Sequence, residues 1–354
     1  MKWSMLVLAI LLVGCNQNGP ESELKDYAAR VSNAIEQDFD LVFSATLPQY
    51  PAKRHRSLTL TELREGVIDV FDLRRCGLME LIGERNSSLG KLALPSQRLI
   101  YETRFLPPLR ACIQSLEQLT PLSEEDQDLL ERLRHIEQVK TRNYPRVVSN
   151  ALFNSDEISQ HFAISGSAGR FETPAPLTGL SPALKRFEHL ADQADDTHWQ
   201  VPAWITELET SYEAFYRSHF GHEWSQSLLL LTQTLDQTAA AIETRLARRP
   251  MCFNKRPTPQ ANIVRNVFTR YYAGRLQPWM SNIHRNGMQW RQHWQALRQK
   301  LPTTPHVAAY FDHMLADRPG SLWHDYQQAR ERHTQAWQQL LGQCGMMPGN
   351  SPNG

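Results

Sequence analysis

Apolar residues recur at every third or fourth position along most of this chain, the spacing of one face of an α-helix. Between His222 and Arg249 the stripe runs Trp224, Leu228, Leu231, Leu235, Ile242 and Leu246, and Pro250 ends it. Ile263, Val267 and Tyr271 repeat the spacing, then Ile283, Trp290, Trp294 and Leu297, with Pro278 placed to kink or divide the two runs. A last helix carries Leu322, Tyr326, Ala329, Trp337, Leu340 and Cys344, and Gly345 is suited to cap it. The first half reads alike. Leu63, Val67, Val70, Leu78 and Leu81 predict one helix, and Leu99, Leu109, Cys112 and Leu116 predict another, interrupted at Pro107-Pro108. Ser123 with Asp126 resembles a capping box, opening a helix through Leu129, Leu133, Ile136 and Val139.

No stretch alternates apolar and polar residues between turn signals, so strands are expected to be absent or minor. The fold class is all-α, a long-helix bundle or elongated helical array, and the lack of a fixed-period repeat weighs against a solenoid. Regularity breaks over 164–181, where Ser165-Gly166-Ser167-Ala168-Gly169 precedes Pro174 and Pro176. That stretch is expected to be a loop or linker between an N-terminal helical region, 21–163, and a Trp-rich C-terminal helical region, 182–344. Residues 345–354 read as a disordered tail.

The N-terminus has a different character. Lys2 precedes an unbroken apolar run from Met5 to Val13, too short to span a bilayer but right for a signal peptide over 1–14. Leu12-Val13-Gly14-Cys15 resembles a bacterial lipobox, which makes Cys15 the expected site of lipid attachment and 15–20 a lipidated tether. Asn16 follows where an Asp would resemble an inner-membrane retention signal, so the expected location is the outer membrane, facing the periplasm.

Charge narrows the partners. Lys and Arg total 38 against 37 acids, and Lys2 leaves with the signal. This balance argues against nucleic acid and against strong attraction to anionic lipid surfaces. Four cysteines remain after Cys15, an even count that points to disulfides in an oxidising compartment. Three pairings are possible. Cys76–Cys112 with Cys252–Cys344 is favoured because each pair lies within one half of the chain, and four buried free thiols rank second.

Motifs that would specify chemistry are incomplete. Gly83 to Lys91 has the wrong glycine spacing for a phosphate loop, and Leu92 stands where Ser or Thr is required. His222-Glu223 opens like a zinc-protease helix, but Gln226 replaces the second His. His219 and His222 could hold a metal with Glu223, yet histidines at a helix start are more often capping or surface residues. The Ser165–Arg170 loop could cradle an anion, or could be a flexible linker. Neither a metal nor a cofactor is expected. Glu84, Arg85, Asn86, Ser87 and Lys91 form a polar cluster that could contact a ligand or partner, although a helix end and loop describe it better. Among the aromatic and Arg residues beyond Arg265, Trp290 and Trp294 fall on the core stripe, while Tyr272 and Trp279 are candidate partner contacts.

Cys76-Gly77-Leu78, the run Glu84 to Lys91, Pro95-Ser96-Gln97-Arg98-Leu99 and Cys112-Ile113 resemble an uncharacterised proteobacterial lipoprotein family, domain of unknown function 3080. The resemblance covers nearly the whole mature chain. It supports the lipoprotein reading and implies no activity, fold or ligand. With no intact catalytic motif, the expected role is a scaffold or assembly accessory with an envelope protein partner. The rivals are a cell-wall hydrolase or lyase using helix-borne carboxylates roughly 5–9 Å apart, and a carrier needing an apolar cavity of roughly 300–1,000 Å³.

Overall fold

The tryptophan stripes become the centre of a helical bundle. A computed structural model describes residues 19–63, 73–172, 174–194, 196 and 199–347, apart from the side chains of Leu89 and Lys91. The signal segment 1–14, Cys15, the start of the tether and residues 348–354 lie outside the described residues. Helices α1 (Pro20–Ile35), α2 (Met79–Asn86), α3 (Pro95–Glu117), α4 (Glu124–Phe153), α5 (Asp156–His161) and α6 (Ser181–Asp192) make the first half. Helices α7 (Glu209–Arg217), α8 (Phe220–Arg248), α9 (Pro259–Val267), α10 (Gln277–Lys300), α11 (Pro305–Leu315) and α12 (Leu322–Gln343) make the second. The described residues contain no strand, and both favoured disulfides are present, with Cα separations of 5.2 Å for Cys76–Cys112 and 5.1 Å for Cys252–Cys344.

Helices α8 and α12 run in parallel. Trp224 stacks near Trp323 at one end, Arg332 pairs with Asp236 and Glu243 midway, and the Cys252–Cys344 bond closes the other end. α1 shares their direction, with Tyr27 against His333 and the Ile35 carbonyl under Arg245. α9 and α10 return the opposite way. In the first half, α3 and α4 form an antiparallel hairpin tied by Arg110–Glu137 and by the buried pair Lys140–Glu102. Phe153 at the end of α4 meets Trp294 and Phe311, so buried residues from both halves join one core.

Several local expectations change. α3 runs uninterrupted through Pro107 and Pro108, because burial of Phe105, Leu106 and Leu109 outweighs the missing N–H groups. Among the described residues the expected helix ahead of α2 is represented by a short turn, Leu73–Cys76, followed by Gly77 at φ 67°; residues 64–72 lie outside the described residues. A π-helical segment, Phe268–Leu276, joins α9 to α10 without a break, and Pro278 follows two residues after it. The buried face of α9 is Ala261, Val264 and Val267, leaving Ile263 49% exposed. The Ser123 cap and the left-handed Gly345 after α12 are found as expected. Met346 and Met347 are partly buried against the core.

Residues 36–63, largely without regular structure, form a strap that crosses from α1 over α8 to α4. Its backbone has no sheet partner, so side-chain amides supply one. Asn150 Oδ1 accepts from Leu58 N–H (2.7 Å) while its Nδ2 donates to the Leu58 carbonyl (2.9 Å). Asn143 does the same for Thr61 (3.0 and 2.8 Å), and Gln237 for Val42 (3.1 and 2.8 Å). Each amide offers a donor and an acceptor in one plane, as a strand neighbour would. Asn150→Ala should therefore cost about 1–3 kcal/mol by stranding two backbone groups. Urea unfolding would measure it, and an unaltered midpoint would show that water replaces the amide.

Two interior histidines satisfy tryptophan N–H groups. Trp290 Nε1 donates to His161 Nε2 (3.2 Å), and Trp337 Nε1 donates to His333 Nε2 (3.2 Å) and to Tyr27 Oη (3.0 Å). An indole can only donate, so each His accepts at Nε2 and carries its proton on Nδ1. Burial pushes both rings down to about 3 from 6.5. Below pH 6.5 the unfolded chain takes up protons that the fold refuses. Stability should fall from about pH 6.5 towards 3, by about 1.4 kcal/mol per pH unit for each ring, with no such dependence above that window. His333→Gln should reduce the slope by one proton in urea titrations across this range; an unchanged slope would mean that His333 is protonated in the fold.

Candidate polar cleft

Two features far apart in sequence meet at the start of α8. The Ser165–Arg170 loop lies against His219, His222 and Glu223, and together with Gln160 they line an open cleft of about 600 Å³. A second hollow of about 350 Å³ adjoins it, sharing Gln160, Ala163 and Ser165 and extending to Tyr50 and Asp156. These volumes fall in the range of small-molecule sites.

The loop is pinned along its length. Gln226 Nε2 donates to the Ile164 carbonyl (3.1 Å), and Gly169 N–H donates to Ser227 Oγ (3.0 Å). Trp279 Nε1 donates to the Gly169 carbonyl (3.1 Å), and its ring stacks on Phe171 at 4.2 Å. Glu223 Oε2 accepts from Ala175 N–H at 3.1 Å, which commits the carboxylate nearest the cleft. These contacts preform the cleft.

Glycines permit the close approach. The His222 ring lies against Gly166, where a Cβ would collide with Cδ2 and Cγ, and a Cβ on Gly221 would strike His161. His222 is half buried with its ring 5.4 Å from that of His219. Burial first, and His219 second, hold its pKa below the ordinary histidine value. The chemistry on offer is polar recognition, by two imidazoles, the Arg170 guanidinium and the hydroxyls of Ser165 and Ser167. Among the described residues no group of three His, Cys, Asp or Glu side chains is placed to hold a metal ion.

The other candidate residues lie elsewhere. Glu84, Arg85, Asn86 and Ser87 end α2. Arg85 donates to the Gly90 carbonyl, Ser87 Oγ donates to the Glu84 carbonyl (2.7 Å) and accepts from Gly90 N–H (2.9 Å), and Glu84 pairs with Arg104 at 3.5 Å. Gly90 alone fits there, since a Cβ would meet the Glu84 and Arg85 carbonyls. The Lys91 side chain lies outside the described residues. Tyr272 and Trp279 are both interior, Tyr272 against His333 at 4.8 Å and Trp279 beneath the cleft loop. In the sequence the histidine pair and the glycine–serine loop are separate features, about 50 residues apart. The signal that joins them is the pair of glycines Gly166 and Gly221, each at a contact too close for a Cβ.

Residues 24–348 match the family described as protein of unknown function, DUF3080, and the chain belongs to that family. No curated protein and no solved structure matches it.

Gly166→Val should displace the His222 ring into solvent and return its pKa upward towards 6.5. Imidazole NMR titration would read this; an unmoved value would mean that the ring is not seated under residue 166.

Proposed function

We propose that this family member is a lipid-anchored, periplasm-facing protein of the outer membrane that works by binding. In this reading it is an adaptor or assembly accessory that offers its polar cleft to an envelope partner. The observation that carries the proposal is a preformed polar cleft set on a solid body. Trp290, Trp294, Trp323 and Trp337 fill the interior at no more than 1% exposure. A half-open hollow beside Trp224 holds about 10 Å³, room for roughly one water. A carrier would need space inside, whereas this body offers its chemistry outside.

The tether agrees with an adaptor held near a surface. Three residues, Asn16 to Asn18, separate Cys15 from Gly19. Leu24, Ala28, Val31 and Ile35 of α1 are already core residues. A lipid on Cys15 would thus lie within about 14 Å of a helix built into the body. No helix among the described residues is long and apolar enough to cross a membrane, so attachment would fall to that lipid.

Cys15→Ser should move the protein into the salt-washed soluble fraction, and persistence in membranes would remove the anchor from the proposal. A photocrosslinking side chain at Ser167 in living cells should give one discrete protein adduct, lost in Arg170→Glu. A diffuse background, or an adduct indifferent to Arg170, would sink the assignment of the cleft.

A further inference from the structure

Overall neutrality conceals a local imbalance. Residues 248–256 read Arg-Arg-Pro-Met-Cys-Phe-Asn-Lys-Arg, four cations in nine positions with no acid among them. This turn follows α8 and is held firmly at its base. Cys252 is bonded to Cys344, Met251 N–H donates to Gln343 Oε1 at 2.9 Å, and Gly345 packs against the Lys255 carbonyl. Asn254 and Lys255 take left-handed backbone angles, φ 50° and 55°, unusual for a lysine. Phe253 projects from the tip and is 74% exposed. Glu36 is the acid at hand, engaged by Arg249 at 3.7 Å, and Arg248 donates to its carbonyl. Lys255 and Arg256 have no ion pair among the described residues.

An exposed aromatic ring bordered by unpaired cations is suited to a bilayer interface, where the ring enters the headgroup boundary and the cations meet phosphates. An acidic protein surface would offer the charge, but the position of the turn favours the membrane. α1 begins one short tether from Cys15, and its last residue, Ile35, accepts from Arg245 Nε at 2.8 Å beside the turn. The expected lipid and the Phe253 turn therefore stand at opposite ends of one 16-residue helix, about 24 Å apart. That spacing would let both engage one bilayer with α1 lying along it. We propose that the Phe253 turn is a second membrane contact, specific for anionic phospholipid headgroups, that lays the body side-on against the bilayer. The lipid half of this arrangement rests on the anchored reading given above; the affinity of the turn does not.

The test uses the mature chain with Cys15→Ser, which carries no lipid, sedimented with vesicles of phosphatidylcholine alone or mixed with phosphatidylglycerol. The chain should bind the mixed vesicles alone, and salt should weaken binding. Phe253→Ser should reduce partitioning about tenfold, and Lys255→Glu or Arg256→Glu about fivefold or more. All three positions are exposed, so circular dichroism and thermal midpoints should be unchanged. Equal binding to both vesicle types, binding to neither, or variants that bind like the parent would each overturn the proposal. A photocrosslinker at position 253 that captures a protein in cells, in place of phospholipid, would overturn it in favour of an acidic partner. Because this chain lacks the lipid, failure here leaves the anchor standing, and retention of Cys15→Ser in salt-washed cell membranes would count against the anchor alone.

Discussion

A buried indole N–H is costly without an acceptor, and in this bundle a neutral histidine supplies one at two places, while Trp199, Trp224 and Trp294 are buried without one among the described residues. His161 takes the N–H of Trp290 where α5 meets α10, and His333 takes that of Trp337 where α12 meets α1. Neither ring can accept once Nε2 is protonated. The large apolar area contributed by these tryptophans therefore depends on two groups that must stay uncharged. Close packing tightens the dependence. Gly221 lets the start of α8 rest on His161, and Gly287 lets α10 rest on Trp224. A larger residue at either position would push apart helices whose separation sets the rest of the core.

The cleft follows from the same contacts. His161 ends α5, and the chain then turns into the 164–175 segment. Gln226, Ser227 and Trp279 pin that segment to α8 and α10. Trp279 thus belongs to the core and to the floor of the cleft together. A site supported by packed helices keeps its geometry better than one carried on a free loop. The strap over 36–63 obeys a related rule. Its backbone groups need partners without a neighbouring strand, and the amides of Asn143, Asn150 and Gln237 provide them. These amides tie the strap to α4 and α8, whereas the two halves of the chain meet in the shared core.

A dense interior leaves binding to the surface. The cleft carries imidazole and guanidinium groups beside a carboxylate already engaged by the backbone, while the Phe253 turn carries cations beside an aromatic ring. One is concave and polar, the other convex and amphipathic. A protein resting on a bilayer through the turn would keep most of its surface for partners, which is consistent with an adaptor.

Periodicity sufficed for the helices because a stripe of apolar residues at spacings of three and four has one low-energy outcome, a helix with that face buried. Hence α8, α12, the cap at Ser123 and the burial of Trp290 and Trp294 were readable from the chain, as was the pairing of cysteines within each half. Pro107 and Pro108 misled because local cost was weighed without the burial that offsets it. Ile263 misled because its neighbour Val264 takes the core position, completing a face with Ala261 and Val267 at helical spacing. Local sequence determined the helical class and most of the helix stripes, and it favoured the cysteine pairs within each half. The tertiary structure alone decided that His219 and His222 face Ser165 to Arg170, that Tyr272 and Trp279 turn inward, and that Phe253, among the cations of 248–256, is left exposed. Such meetings depend on how helices pack against one another, a choice made by the sum of many contacts across the fold and written in no short stretch of the chain.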